Sequence, residues 1–111
     1  MPARELRPRE WRALDWEPFR DGIEAAWLYR NGDHGPAAAY LRYRPGARVP
    51  RHWHPGYEHV FVLEGSQSDG SERYAEGSLL VSPPGSSHAI VSEEGCVVLV
   101  IWERPVLFGA A

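Results

Sequence analysis

Apolar residues along this chain fall into short runs separated by turn residues, and no stretch repeats at the helical period. Alternating or continuous apolar positions predict strands over 23–30, 37–44, 49–54, 58–64, 78–82, 88–92 and 96–106, with 73–76 leading into the turn at Gly77. Breaks fall at Asn31-Gly32-Asp33, Pro45-Gly46, Pro55-Gly56, Gly65, Gly77, Pro83-Pro84-Gly85 and Glu93-Glu94-Gly95, where backbone preferences favour a turn. Residues 66–71 read as a polar loop. Seven or eight short strands with turn signals every eight to twelve residues predict an all-β sandwich or small barrel.

The last strand is apolar over residues 96–102 without interruption, so both of its faces are expected to be covered. The opposite sheet would cover one face, and an N-terminal arm or a second subunit the other. Residues 1–20 show no period. They are expected to form an irregular arm packing on the barrel through Trp11, Trp16 and Phe19, ahead of a single domain over 21–111.

Composition supports this picture and narrows it. A chain of 111 residues, 43% hydrophobic, suffices for one modest core. Glycine and proline together number 11 plus 10, well above ordinary usage, which fits many tight turns. With 12 basic and 15 acidic residues the net charge is −3, which speaks against nucleic acid as a partner. All basic residues are arginine, and no function follows from that. The lone Cys96 excludes an intrachain disulfide and is expected to be a small core residue. No apolar run approaches a membrane span and the N-terminus lacks a signal-peptide core, so a soluble, cytoplasmic protein is expected.

The histidines carry the chemistry. His52 and His54 are two apart, and on a strand such residues share a face, so both imidazoles can aim at one ion. Pro55-Gly56 then turns the chain and brings Glu58 to the same place, while Pro83-Pro84-Gly85 delivers His88 from a second hairpin. Three neutral imidazoles and a carboxylate suit one divalent transition metal (iron, zinc, manganese or nickel) and leave coordination positions open. His59 should face the other way, toward packing or a subunit contact, and His34 lies in a solvated loop. Trp53, between the two ligand candidates, should point outside the barrel.

Gly46-(x)5-His52-x-His54-(x)3-Glu58-(x)6-Gly65 resembles the first motif of the cupin superfamily at every fixed position. Gly77-(x)5-Pro83-x-Gly85-(x)2-His88 resembles the second, with Ser92 where the family pattern ends in Asn. The two motifs span residues 46–92, and the block around the second is most similar to ChrR-type cupin domains. The resemblance implies a double-stranded β-helix, or jelly roll, with His52, His54, Glu58 and His88 as metal ligands. The short gap between the motifs implies a plain hairpin with no inserted lid.

What the resemblance implies about function is broader. A metal-dependent, dioxygenase-like enzyme acting on a small organic substrate is the leading expectation; no separate general base is visible in the sequence, and Glu58 would serve only on loosening from the metal. A metal- or ligand-sensing module without catalysis is the alternative, and a sugar-phosphate isomerase a third. Anti-sigma action is disfavoured, because the ~45 residues before the first motif are few for a separate domain. Arg42, Arg44, Arg48 and Arg51 could supply a cation to the barrel mouth, and Trp27, Tyr29 and Tyr40 could line the cavity. A homodimer is expected.

Overall fold

A computed structural model describes residue 3 and residues 8–109. A 3-10 turn, Pro8–Ala13, precedes ten strands. These are β1 (Glu17–Arg20), β2 (Ile23–Arg30), β3 (Ala37–Tyr43), β4 (Ala47–Trp53), β5 (Glu58–Ser68), β6 (Arg73–Ala75), β7 (Leu79–Ser82), β8 (Ser87–Ser92), β9 (Cys96–Trp102) and β10 (Leu107–Phe108). Every pairing is antiparallel, in the order β1-β2-β3-β9-β5-β8-β4-β10, with β6 and β7 both attached to β5. The curled sheet is the all-β cupin jelly roll that the motifs imply.

β5 joins the two halves. Residues 58–65 pair with β9, and the last three residues pair with β6. A bulge between Val62 and Glu64 bends the strand between them. Gly65 sits at the crossing with φ of 74°. A Cβ there would collide with the carbonyl of Gly95, so only glycine fits.

Side chains from both halves fill the interior. Ala25, Ala39, Val62 and Val98 are completely buried, and each fully buried valine is worth about 1.5–3 kcal/mol. Cys96 lies in this core, and burial pushes its thiol up to about 11. It is a packing residue, as expected.

The outer face is less covered than the sequence suggested. Along β9, Val97 is buried but Ile101 is exposed. Above Val97 lies the arm. The guanidinium of Arg42, opposite Val97, stacks on Trp16 at 4.3 Å, and Arg12 reaches Glu64, also opposite Val97, at 3.9 Å. Beyond the arm, Phe61, Leu79, Val81 and Ile101 remain exposed around His59 on the outer face.

The arm itself differs from expectation. It is not irregular throughout, because Glu17–Arg20 pairs with β2 and carries Phe19 inward against Trp27 and Trp102. Trp16 Nε1 donates to the Trp11 carbonyl, closing the turn before that strand. Residues 1, 2 and 4–7 of the predicted arm, and 110–111 of the predicted domain, lie outside the described residues. Among the described residues no helix is long and apolar enough to cross a membrane.

Candidate metal centre

Strand pairing brings four side chains together at one end of the barrel. His52 comes from the end of β4, His54 follows that strand, Glu58 opens β5 and His88 lies on β8. One ligand atom from each falls within 4.8 Å of all the others. His54 Nε2 is 3.3 Å from a Glu58 carboxylate oxygen, and His88 Nε2 is 3.8 Å from the same atom. The four residues predicted from spacing are thus in one place.

A bulge makes this possible. Between Val49 and His52 the register against β8 slips by one residue. Ala47 and Val49 face inward before the slip; His52 and His54 do so after it. Pro50 lies in the slip, where its missing N–H breaks no ladder bond. Its carbonyl accepts a hydrogen bond from His52 Nδ1 at 2.9 Å.

Those bonds settle the tautomers. A carbonyl only accepts, so Nδ1 of His52 carries its proton and Nε2 presents a lone pair to the cluster. His54 Nδ1 likewise meets the Ser86 carbonyl at 3.1 Å and lies 3.0 Å from the Ser86 hydroxyl. Fixing the outer nitrogen in this way aims the inner one, the usual arrangement of imidazole metal ligands.

The interior also keeps His52 and His88 neutral. Burial lowers the pKa of His52 below the ordinary imidazole range. Burial, and then the neighbouring His52, push His88 down to about 4. Neutral imidazole is the form that binds metal. His54 Nε2 is fully buried with no hydrogen-bond partner, and an orphaned nitrogen of that kind is costly unless something else fills its lone pair. The residues therefore fit one divalent metal ion, held by three nitrogens and a carboxylate.

Beside the cluster runs an interior cavity of about 50 Å³, lined by His52, Glu58 and His88 at one end and by Val49, Ile90 and Val98 among its apolar walls. A second chamber of about 300 Å³ lies across Phe19, Trp102, Val106 and Phe108, which line both spaces. Phe108 tilts against His52 at 5.7 Å and lies beneath the Arg20 guanidinium at 4.3 Å.

The remaining candidates sort clearly. His34 is exposed, and His59 lies on the outer face between Val81 and Ile101. Trp53 lines an outside crevice with Pro55 and Leu107. The arginine stretch does not converge on the cavity. Arg42 is bonded to Glu24 at 2.7 Å, Arg51 donates to Ser87, and Arg44 and Arg48 are exposed. Tyr29 is exposed and Tyr40 is buried away from the core cluster, whereas Trp27 lines the outer chamber.

Sequence reasoning missed Gln67, Arg20 and Phe108. The polar run 66–71 predicts a loop, yet Gln67 is buried in β5, because the bulge turns it inward. Its polar neighbours Ser66 and Ser68 hide that strand from hydropathy. Only the paired turn at Asp69, which accepts from the amides of Ser71 and Glu72, marks where the strand really ends.

Known proteins share this fold. Residues 9–104 match the model of the ChrR Cupin-like domain. The anti-sigma-E factor ChrR of Cereibacter sphaeroides is 29% identical over 112 residues, covering 98% of this chain and 51% of that protein. The chain thus spans about half the length of that relative. The crystal structure of Rhodobacter sphaeroides SigE in complex with the anti-sigma ChrR superposes with a TM-score of 0.75 at 27% identity, covering 85% of this chain and 52% of that one. A putative acetylacetone dioxygenase from Methylibium petroleiphilum PM1 shares the fold, with a TM-score of 0.83 at 16% identity over 99% of this chain and 83% of that one. The match over residues 9–104, with the ligand cluster inside it, decides the assignment. The chain belongs to the ChrR cupin-like domain family.

Proposed function

We propose that this protein binds one divalent transition metal through His52, His54, Glu58 and His88 and acts as a metal-dependent, dioxygenase-like enzyme on a small organic substrate. The observation that carries the reading is the buried, partnerless His54 Nε2 amid three other convergent ligand atoms, beside an open cavity. An ion held there supplies Lewis acidity and, with iron, redox chemistry.

The chain's own residues do the rest. Pro50 and Ser86 hold His52 and His54 in the ligating tautomer. Glu58 offsets the charge of a cation in a site that is otherwise neutral, and it is the carboxylate nearest the cavity for accepting a substrate proton. Val49, Ile90 and Val98 keep bulk water from that end of the barrel.

Protein loaded anaerobically with iron(II) should consume oxygen when given a member of a diketone, phenol and thiol panel. No uptake across the panel, with iron bound, contradicts the enzymatic reading.

A second reading, a sensing module, is favoured by the relation to an anti-sigma factor whose other half this chain does not span. It requires a protein partner, and affinity capture of the metal-loaded protein that recovers none counts against it. The sugar-phosphate reading loses support, since Arg42 and Arg51 are tied elsewhere and no arginine of the stretch lines the cavity. For assembly, the exposed residues Phe61, Leu79, Val81 and Ile101 support a homodimer through the outer face.

A further inference from the structure

The cavity holds a second polar group that metal binding leaves unexplained. Gln67 is 3% exposed, lines the same cavity as His52, Glu58 and His88, and its Oε1 has no hydrogen-bond partner. A buried amide oxygen left unpaired is destabilising, and a leucine in its place would match the apolar walls around it. Retaining a polar group at such a cost points to something it binds.

Strand geometry explains its position. Glu58, Val60 and Val62 of β5 face inward. The bulge after Val62 shifts the alternation, so Gln67 points in as well. Ser68 lies opposite Val91 of β8, which sets Gln67 beyond Ile90 from His88. The cluster and Gln67 therefore stand at opposite ends of one apolar-walled space.

The surroundings of Gln67 select the ligand. No arginine lines the cavity, and Tyr43, which does, is held in its neutral phenol form by burial. An anionic group at this end would be buried without a counter-charge. A carboxamide instead offers one acceptor and two donors, which suits a hydroxyl or carbonyl. The cavity is small, about 50 Å³, which limits a ligand there to a few carbons.

We infer that Gln67 binds the far end of the ligand whose near end sits at the metal cluster, and that this ligand is a short organic acid or carbonyl compound, of a few carbons, with a neutral oxygen at its far end. The inference rests on the metal reading above and assigns Gln67 as the residue that positions and selects the ligand.

Two matched pairs test it: glycolate against propanoate, and 3-hydroxypropanoate against butanoate. Each is titrated into cobalt(II)-loaded protein while the visible absorption of the metal is followed. In at least one pair the hydroxy acid should bind about tenfold tighter, the worth of one neutral hydrogen bond. Gln67→Leu should reduce that preference to within about twofold, while still taking up one cobalt and binding the alkyl acid as before. Metal-free Gln67→Leu should also melt at or above the wild-type temperature, because an unpaired buried amide has been removed.

Equal affinities within both pairs overturn the inference and leave the metal reading standing. So does a preference that survives in Gln67→Leu, since the hydroxyl would then be held by the metal alone. A fall of several degrees in the melting temperature of Gln67→Leu, or of the closer Gln67→Met, marks a structural amide and overturns it too. Wild-type protein that takes up no cobalt overturns both readings together.

Discussion

His52 on β4 and His88 on β8 face each other at one register position of an antiparallel pair, with ring centroids 4.6 Å apart. Each ring is removed from water, and His52 further disfavours a charge on His88. The pair is poised to share a cation from outside rather than to carry protons of its own.

This makes the metal-free protein acid-sensitive. His88 is held at about 4 when folded and returns to about 6.5 when unfolded. Between those values the unfolded chain binds the proton and the folded one does not, so stability falls as pH drops from 6.5 to 4. Above that window the contribution is fully present. The loss is about 3 kcal/mol on the shift of His88 alone. Melting curves of chelated protein between pH 4 and 8 should show it, and His88→Asn should flatten the profile. A flat wild-type profile would remove the basis for neutral imidazoles.

Ser86 should matter without touching the metal. Its hydroxyl and carbonyl both meet His54 Nδ1. Ser86→Ala keeps the carbonyl, so metal affinity should fall about tenfold, the low end for loss of an outer partner. Competition against a fluorescent chelator measures it. Unchanged affinity would mean that the carbonyl alone fixes the ring.

Removing the metal should destabilise the fold. An ion present at 1,000 times its dissociation constant contributes about 4 kcal/mol, and each kcal/mol moves the melting point of a domain this size by about 4–8 °C. Thermal unfolding with and without chelator should therefore differ by more than 15 °C. In Glu58→Gln, which removes the only carboxylate of the cluster, that difference should shrink sharply.

The outer face offers a separate prediction. Val81 is 52% exposed, opposite His59, whose other neighbour across the sheet is the exposed Ile101. Val81→Arg should leave a dimer monomeric in light scattering, with metal content unchanged. A wild-type monomer at tens of micromolar would exclude the assembly.

Most of this was legible in the sequence because turns and ligands are coupled. Pro55-Gly56 and Pro83-Pro84-Gly85 fix where His54, Glu58 and His88 arrive, and such residues announce themselves locally. What hydropathy hid were the bulges. The slip at Pro50 and the one after Val62 each reverse which side chains face inward. A polar run such as Ser66-Gln67-Ser68 therefore reads as a loop although it lies in a strand with Gln67 in the core. Likewise the two-residue β10, which brings Phe108 over His52, is too short for any period to reveal. The arm was half legible: its aromatic anchors could be named, but the pairing of β1 depends on β2 and not on its own pattern.

The central claim is that these four side chains hold one metal ion, and elemental analysis of the protein as purified from its native host tests it most directly. One equivalent of a first-row transition metal in the wild type, and almost none in His54→Ala prepared alongside, is the predicted result. Wild-type protein free of metal and unable to take it up, or a His54→Ala variant that retains a full equivalent, would contradict it.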